Sequence, residues 1–234
     1  MIDTIQTKAQ QLTRGYFQSG TGEKEILIIG SCRTVPILNY LVNGNDGSLT
    51  IRRIDPCDWA FDGYDLTTIE TDQRVLDVIE SCDIFIHEYL INYGMFNTAN
   101  YGKSIYQYGM KAPVNISIPN FNDHLILEND YVAYGAAIPD DYIEKGEAEI
   151  EKFCSHCDIS SFPEFTQVFR DTWRSIRYFW RPNHVSAAFT KAIFKLMNEK
   201  FLHLPIGDVT DEDLFKEPHT SVTQRDREGY KLLW

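Results

Sequence analysis

Four short runs of β-branched and apolar residues, separated by helical patterns, constrain the fold of this 234-residue chain more than any other feature. The runs are EILIIG at 25–30, LTIRRI at 49–54, CDIFIHEYL at 82–90 and APVNISIPNF at 112–121. Runs of this length and composition are typical of strands buried on both faces of a parallel sheet. Segments 34–42 and 67–81 lie between them and have helical spacing. The alternation predicts an α/β fold with a mainly parallel sheet.

The rest of the chain predicts helices and a tail. An amphipathic helix is expected at 3–17, followed by a glycine-containing connector at 19–23. Three helices are expected at 139–156, 162–180 and 184–202. From 205 the sequence is polar, which predicts an irregular tail whose apolar end docks onto the body or a partner. We therefore divide the chain into 1–23, an α/β domain with a helical C-terminal part at 24–204, and a tail at 205–234.

Composition and charge exclude several classes of protein. The formal net charge of −12 argues against binding to nucleic acid or to an anionic membrane surface, since both require clustered cations. No window approaches 18 uninterrupted apolar residues, so no membrane span is expected. The N-terminus lacks the basic and apolar regions of a secretory signal. Five cysteines, an odd number, then predict reduced thiols and a cytoplasmic location.

The turn after the first strand concentrates reactive groups. Gly30 ends the apolar run, and Ser31, Cys32 and Arg33 precede a helical pattern. At the N-terminus of a helix, backbone amides and the helix dipole lower the pKa of a thiol and stabilise an oxyanion. The alternative is that Cys32 is a small buried residue and Ser31 an ordinary helix cap.

A base for such a thiol is available later in the chain. Pro182 ends a predicted helix, so Asn183 and His184 lie on a loop or at a helix start. His184 is a candidate general base, and Asn183 a candidate substrate ligand. The alternative makes Asn183 a helix N-cap and His184 an exposed residue of the first turn.

Two further strand ends carry polar groups. His87 and Glu88 end the third strand, with Asn92 close behind, and Asn120 follows the fourth. Functional groups gather at the carboxyl ends of parallel strands. His87 and Glu88 are therefore a candidate base or orienting pair, and the alternative is a structural pair at the edge of the sheet.

Four arginines recur at helical spacing in FRDTWRSIRYFWR. Arg170, Arg174, Arg177 and Arg181 would share one face of a helix. Like charges on one face repel each other unless an anion sits there, and arginine binds phosphates bidentately. The row is a candidate phosphate site. The alternative is that acidic residues elsewhere in the fold neutralise it.

Other candidate metal or redox motifs are weak. Cys154 and Cys157 form one Cys-x-x-Cys, and no second pair completes a zinc site, so we interpret them as ordinary helix-end cysteines. The aspartates in DPCDWAFDGYD, 55–65, lack the register of a calcium-binding loop, and we interpret this loop as an acceptor-binding or lid element. No metal site is predicted.

An ordered set of motifs resembles a known family. GSCR at 30–33, IPNF at 118–121 and FWRPNH at 179–184 resemble the polysaccharide-biosynthesis acetyltransferase family named for the capsule protein WcbI. Ser31, Arg33 and Val185 depart from its usual Asn, Gln and Pro. The turn also resembles the first block of SGNH/GDSL hydrolases, with Cys32 at the nucleophile position. The Asp-x-x-His of those hydrolases is missing, because Arg181 stands three residues before His184.

The resemblance implies an SGNH-like three-layer fold and an O-acetyltransferase that moves an acetyl group from acetyl-coenzyme A to a sugar-like hydroxyl. Cys32, or less favourably Ser31, would be nucleophile or oxyanion donor, and His184 the general base. The remaining roles fall into two groups: Gly30, Arg33, His87, Glu88, Asn92, Asn120 and Asn183 at the oxyanion or substrate, and Arg170, Arg174, Arg177 and Arg181 at the donor phosphates. An SGNH-like esterase or deacetylase, and a non-catalytic binder of a nucleotide or phosphorylated ligand, are the alternatives. The oligomeric state stays open, a homo-oligomer included.

Overall fold

The computed structural model describes residues 16–30, 34–54, 80–88, 111–119, 126–133, 135–181, 184–204 and 222–234. The chain divides into two compact units, one formed by 1–118 with 197–210 and the other by 119–196 with 211–234. The boundaries at residues 23 and 204 that the sequence suggests stay a prediction. Within the described ranges, no helix combines the length and hydrophobicity needed to cross a bilayer.

The first unit contains a five-stranded sheet. Its strands are β1 (Tyr16–Ser19), β2 (Lys24–Ile29), β3 (Leu49–Ile54), β4 (Ile84–Glu88) and β5 (Val114–Ile118), in the order β1-β3-β2-β4-β5. Strand β1 runs antiparallel to β3, and the other three pairings are parallel. The predicted α/β fold with a mainly parallel sheet is therefore confirmed.

The local elements follow the sequence pattern closely in this unit. All four predicted strands form, and β3 has the predicted bounds. Helix α1 (Val35–Gly44) follows β2, with Pro36 in its first turn, where a missing N–H costs no helical hydrogen bond. The helix predicted at 3–17 is wrong at its end, where β1 begins; its first part lies outside the described residues. The helix at 67–81 lies outside them except for its last two residues.

The register of the strands gives the sheet two unlike faces. Paired residues of neighbouring parallel strands share a face, and successive residues alternate between faces. One face is built from isoleucines that are at most 1% exposed, and it ends at Arg53 and Glu88. These isoleucines are Ile26, Ile28, Ile51, Ile84, Ile86 and Ile116. The opposite face mixes buried apolar residues with half-buried polar ones. The apolar residues are Leu27, Ile29, Ile54 and Phe85, and the polar ones are Glu25, Arg52, His87, Asn115 and Ser117.

The chain after residue 126 is mainly helical, as predicted. Its elements are α2 (Glu128–Ala133), α3 (Tyr142–Ile159), α4 (Glu164–Thr172), the hairpin strands β6 (Phe179–Arg181) and β7 (His184–Val185), α5 (Ala187–Met197), a π-helical turn (Asn198–Leu202) and α6 (Gln224–Tyr230). A cluster of aromatic rings forms the core of the second unit, with Phe153 at 4.8 Å from Phe169 and 5.2 Å from Phe179 between ring centroids.

Two helical predictions need correction here. Helix α4 ends at Thr172, eight residues before the predicted end, because the chain turns at 173–176 and then pairs as β6 with β7. His184 begins β7 rather than a helix.

The prediction of an irregular tail is wrong for residues 224–230, which form α6. A capping box in which Thr223 and Asp226 bond to each other's backbone amides begins this helix. The apolar end packs within the second unit, where Tyr230 is fully buried and the Trp234 indole donates to the Trp173 carbonyl at 3.0 Å.

Candidate functional site

The carboxyl ends of β2 and β4 form the topological switch point of the sheet. The chain leaves β2 towards β3 on one side and later enters β4 on the other side. In open parallel sheets, the crevice at such a point is where ligands bind. Gly30 directly follows β2, and Glu88 is the last residue of β4. Two predicted site residues, Gly30 and Glu88, thus lie close together. Ser31, Cys32 and Arg33 follow Gly30 in the sequence.

Gly30 is a glycine because its surroundings leave no room for a side chain. A Cβ at this position would lie 2.4 Å from Cγ2 of Thr34 and 3.2 Å from both Cγ and Cδ of Glu88. The Gly30 amide donates to the Ile54 carbonyl at 3.2 Å, which extends the sheet by one residue past β2. The missing side chain lets Thr34 and Glu88 close against the backbone at this point.

Arg53 is a buried cation at the same end of the sheet, and the sequence interpretation missed it. Its side chain is fully buried. Nε donates to Oγ1 of Thr34 at 3.0 Å, and Nη2 donates to the Gly30 carbonyl at 3.0 Å. A guanidinium loses a large hydration free energy when buried, so such hydrogen bonds are required to keep it there. The signal in the sequence was a charged residue at a position that the strand alternation assigns to the isoleucine face.

Glu88 brings the opposite charge to this face. It is 2% exposed and lies against Gly30, to whose carbonyl Arg53 donates. Register puts both charged side chains on the isoleucine face, with β2 between their strands. The switch point is therefore a buried polar site at the end of an otherwise apolar face.

Helix α1 points its N-terminus at this site. Thr34 is its N-cap residue, and the Thr34 side chain makes no capping hydrogen bond to the helix. Its hydroxyl instead accepts from Arg53. No acidic residue occupies the first turn of the helix. The positive end of the helix dipole is therefore not offset by a first-turn carboxylate or by the Thr34 hydroxyl, which favours an anion near this end.

His87 and Glu88 do not form the predicted side-chain pair, because successive strand residues project to opposite faces. The His87 ring stacks on Phe85, and its Nδ1 lies 3.0 Å from the backbone carbonyl of Glu88. Burial lowers the pKa of His87, and this effect outweighs two hydrogen bonds that raise the pKa. On the other side of the ring, Nε2 of His87 lies 3.1 Å from Oδ1 of Asn115.

The arginine row does not share one helical face, since only Arg170 lies in α4. Arg170 contacts Glu151 at 2.7 Å. Arg174 follows the helix, contacts Glu147 at 3.3 Å and donates to the Tyr230 carbonyl at 3.1 Å.

The other two arginines are placed differently again. Arg177 donates to the Phe179 carbonyl at 3.2 Å, with its guanidinium 5.1 Å from the centre of the Trp234 ring. Arg181 ends β6. Acidic residues and carbonyls therefore contact the three described guanidinia, as the alternative interpretation expects, while phosphate binding by this row stays a prediction.

The His184 region is placed only by its backbone. His184 opposes Arg181 across the β6–β7 hairpin. The hydroxyl of Ser186 accepts from the Phe189 amide at 3.3 Å, and its carbonyl accepts from Thr190, so Ser186 caps α5. The alternative that made Asn183 the cap of this helix is therefore wrong. The role of His184 as base stays a prediction.

The described cysteines are buried thiols with raised pKa. Burial raises the pKa of Cys82 and of Cys154 to about 11 each, and it raises the pKa of Cys157 further. All three are free thiols. Since the thiolate is the nucleophile, these three are poor candidates for covalent chemistry. Among the residues that the structure describes, no group of three or more His, Cys, Asp or Glu side chains is arranged to hold a metal ion.

Six predicted site residues lie outside the described residues: Ser31, Cys32, Arg33, Asn92, Asn120 and Asn183. The loop at 55–65 also lies outside them. Their assigned roles stay predictions that rest on motif and position in the chain.

Comparison with known proteins identifies no family. No known family's model matches the chain, and no curated protein matches it. Among solved structures, the chain is similar to WcbI, described as a novel polysaccharide biosynthesis enzyme and solved as native protein without a disulfide bond between coenzyme A and a cysteine. The identity is 12%, the TM-score 0.49, and the match covers 80% of this chain and 74% of that chain. This is a distant similarity and does not define an activity.

Proposed function

We propose that this protein is an acyltransferase that moves an acetyl group from acetyl-coenzyme A to a sugar-like hydroxyl. The observation that carries the proposal is the buried polar site at the switch point, where Arg53 and Glu88 converge on Gly30 immediately before Ser31-Cys32-Arg33. The same turn leads into a helix whose first turn has no acidic residue. A buried polar cluster that costs desolvation energy and is followed in the chain by a hydroxyl, a thiol and a cation is typical of a reactive centre.

In this proposal, the thioester of the donor supplies an activated acetyl group. Cys32 acts as nucleophile or oxyanion donor, and the positive end of α1 stabilises its thiolate. The amides after Gly30, Arg33 and Asn183 stabilise the oxyanion, and Asn92 and Asn120 bind substrate. His184 removes the proton from the acceptor hydroxyl. In one route, the Cys32 thiolate has already attacked the donor carbonyl and displaced the coenzyme A thiolate; the hydroxyl oxygen then attacks acetyl-Cys32 and releases the Cys32 thiolate. In the other route, the hydroxyl oxygen attacks the donor carbonyl directly and displaces the coenzyme A thiolate. In both routes the proton held by His184 passes to the coenzyme A thiolate.

The donor phosphates are assigned to Arg174 and Arg177 as the leading pair, with Arg170 and Arg181 beside them in the chain. Glu147 competes for Arg174, because their side chains are 3.3 Å apart and both about half exposed. Phosphate binding would therefore have to displace this contact. An exposed pair of this kind contributes about 0.2–1 kcal/mol, so a coenzyme with several phosphate charges can displace it.

An SGNH-like esterase or deacetylase is the second candidate, and the arginine contacts favour it. In a hydrolase, water replaces the sugar acceptor and no donor phosphates need binding, so arginines occupied by glutamates and carbonyls are expected. Hydrolysis of p-nitrophenyl acetate without any acceptor, lost in Cys32→Ala, would support this candidate over the transferase.

Binding of coenzyme A tests the donor assignment. Millimolar coenzyme A should raise the melting temperature of the wild-type protein. Glu147→Gln should increase the affinity several-fold, because it removes the competing carboxylate. Glu149→Gln is the matched surface control, because Glu149 contacts Lys152 at 3.3 Å and none of the four arginines is its ion-pair partner there. Absence of any shift in the wild-type protein would contradict the donor assignment.

Turnover then separates an enzyme from a binder. Acetyl transfer to a sugar acceptor should be lost in Cys32→Ala and in His184→Ala, while both variants keep the fold by circular dichroism. Full turnover in both variants would refute the assigned centre. Coenzyme A binding without transfer or hydrolysis by the wild-type protein would identify it as a non-catalytic binder.

A further inference from the structure

Two hydrogen bonds of the Arg53 guanidinium go to the two ends of one short segment. Nη2 donates to the carbonyl of Gly30, and Nε donates to the hydroxyl of Thr34, each at 3.0 Å. Only residues 31–33 lie between these two acceptors in the sequence. A guanidinium is rigid and planar, so donors on one fork hold two acceptors at a set separation. Arg53 thereby connects the end of β2 to the start of α1.

The two acceptors, the Thr34 hydroxyl and the Gly30 carbonyl, belong to residues that are themselves held in place. Thr34 is fully buried, and as N-cap residue its side chain would ordinarily accept from a helix amide, which it does not do here. Gly30 is held from the other side, since its amide donates to Ile54. On the side of β4, the Glu88 side chain packs close to Gly30, since a Cβ on Gly30 would lie 3.2 Å from its Cγ and Cδ. The ends of the segment are therefore anchored by several independent contacts.

The neighbouring arginine shows what an ordinary strand arginine does in this sheet. Arg52 projects to the face opposite the isoleucines, is partly exposed, and forms an ion pair with Glu25 at 2.5 Å. It is the adjacent residue of β3 and has the same chemistry, but its side chain projects to the other face of the sheet, where its neighbour in β2 is Leu27. Burying Arg53 instead of placing it outward costs desolvation energy, which a purely structural role would not require.

We infer that Arg53 is a positioning residue that sets the geometry of the Gly30–Thr34 turn for the chemistry of Cys32. The inference rests on the proposed function. It gives the turn a cation that acts from inside the core, distinct from Arg33 in the turn itself. The expected consequence is that loss of one anchor lowers the rate of the chemical step and leaves donor binding nearly unchanged, because misplacement by a fraction of an ångström affects the reacting geometry first.

The test removes one of the two hydrogen bonds of Arg53 at a time and keeps the positive charge. Thr34→Val keeps the shape of the side chain and deletes the acceptor of Nε, while Thr34→Ser keeps the acceptor. Arg53→Lys keeps the charge and loses the fork. Arg52→Gln is the matched control. The readouts are the rate of iodoacetamide modification of Cys32 between about pH 5 and pH 9, resolved by peptide mass spectrometry, and kcat and KM for acetyl-coenzyme A.

Thr34→Val and Arg53→Lys should lower kcat about tenfold and change the pH profile of Cys32 modification, with KM within about twofold. Thr34→Ser and Arg52→Gln should stay within about twofold of the wild-type protein in both readouts. Wild-type kcat and an unchanged Cys32 profile in folded Thr34→Val would overturn the inference, and so would an equal loss in Arg52→Gln.

The two proposals fail separately. If the wild-type protein transfers no acetyl group but Thr34→Val still changes the Cys32 profile, the positioning role holds and the proposed function fails. If the wild-type protein does transfer acetyl groups and Thr34→Val leaves both readouts unchanged, the positioning role fails and the function stands.

Discussion

Replacing Gly30 with alanine should destabilise the protein through one identifiable contact. The new methyl would lie 2.4 Å from Cγ2 of Thr34, where carbon atoms ordinarily approach to about 3.5 Å, so it is about 1.1 Å too close. Thr34 cannot move away easily, because it is fully buried and its hydroxyl is bonded to Arg53. Overpacking of this kind costs about 2–3 kcal/mol in the free energy of unfolding. The backbone of Gly30 is outside the left-handed region, so no conformational strain adds to this cost.

A double-mutant cycle isolates the contact. Thr34→Ser removes Cγ2 but keeps the hydroxyl for Arg53, and alone it should cost about 1 kcal/mol for the lost buried methyl. In Gly30→Ala with Thr34→Ser the colliding atom is absent, and only the milder contact with Glu88 at 3.2 Å remains. The double variant should therefore be more stable than Gly30→Ala, with a coupling free energy of about 2 kcal/mol.

Urea unfolding followed by circular dichroism measures all four proteins, and equal m-values would show that the comparison concerns stability alone. Costs that simply add in the double variant would refute the reasoning, because they would place the collision somewhere other than the Thr34 methyl. A Gly30→Ala protein as stable as the wild type would refute it as well, since the space beside Gly30 would then be open.

Three further outcomes are expected. The free energy of unfolding should fall as the pH drops below 6.5, the ordinary pKa of histidine. His87 has a lowered pKa in the fold, so the unfolded chain binds more protons in that range. His87→Gln should flatten this pH dependence, and an unchanged slope in this variant would contradict the prediction. Cys154 and Cys157 should resist alkylation at neutral pH until the chain unfolds, and rapid labelling of the native protein would contradict their burial. Gly146→Ala should cost about 2–3 kcal/mol by circular dichroism melts, because its Cβ would lie 2.0 Å from the Tyr230 hydroxyl; an unchanged stability would mean that Tyr230 can move aside.

The strands were predictable because each has its own local signature. The β-branched runs at 25–30 and 49–54 end at glycine or aspartate, and their strands form close to the predicted bounds. The helix at 162–180 was not predictable in its second half. Helical spacing records only which residues are apolar, and the apolar residues from 173 to 180 serve equally well in a turn followed by a strand. What ends α4 is a partner strand at 184–185, which periodicity does not include.

The site was predictable in position but not in composition. Strand ends and a turn with Gly30 placed it at the carboxyl edge of the sheet. The pairing of His87 with Glu88 failed because neighbours in a strand face opposite sides. Arg53 was missed because Arg52 and Arg53 look alike in the sequence. Only the tertiary structure shows that Arg53 is fully buried and bonded to Gly30 and Thr34, whereas Arg52 is partly exposed and pairs with Glu25.

The sequence by itself determined the α/β class, the strands that build the sheet, and a turn that must begin with glycine. These properties depend on residues close together in the chain, whose backbone preferences and apolar spacing act locally. Only the tertiary structure decided that Arg53 and Glu88 meet at Gly30, and that the arginines of 170–177 are matched by glutamates and carbonyls. Burial and charge compensation depend on groups brought together from distant parts of the chain, and their free energy exists only once those groups are packed.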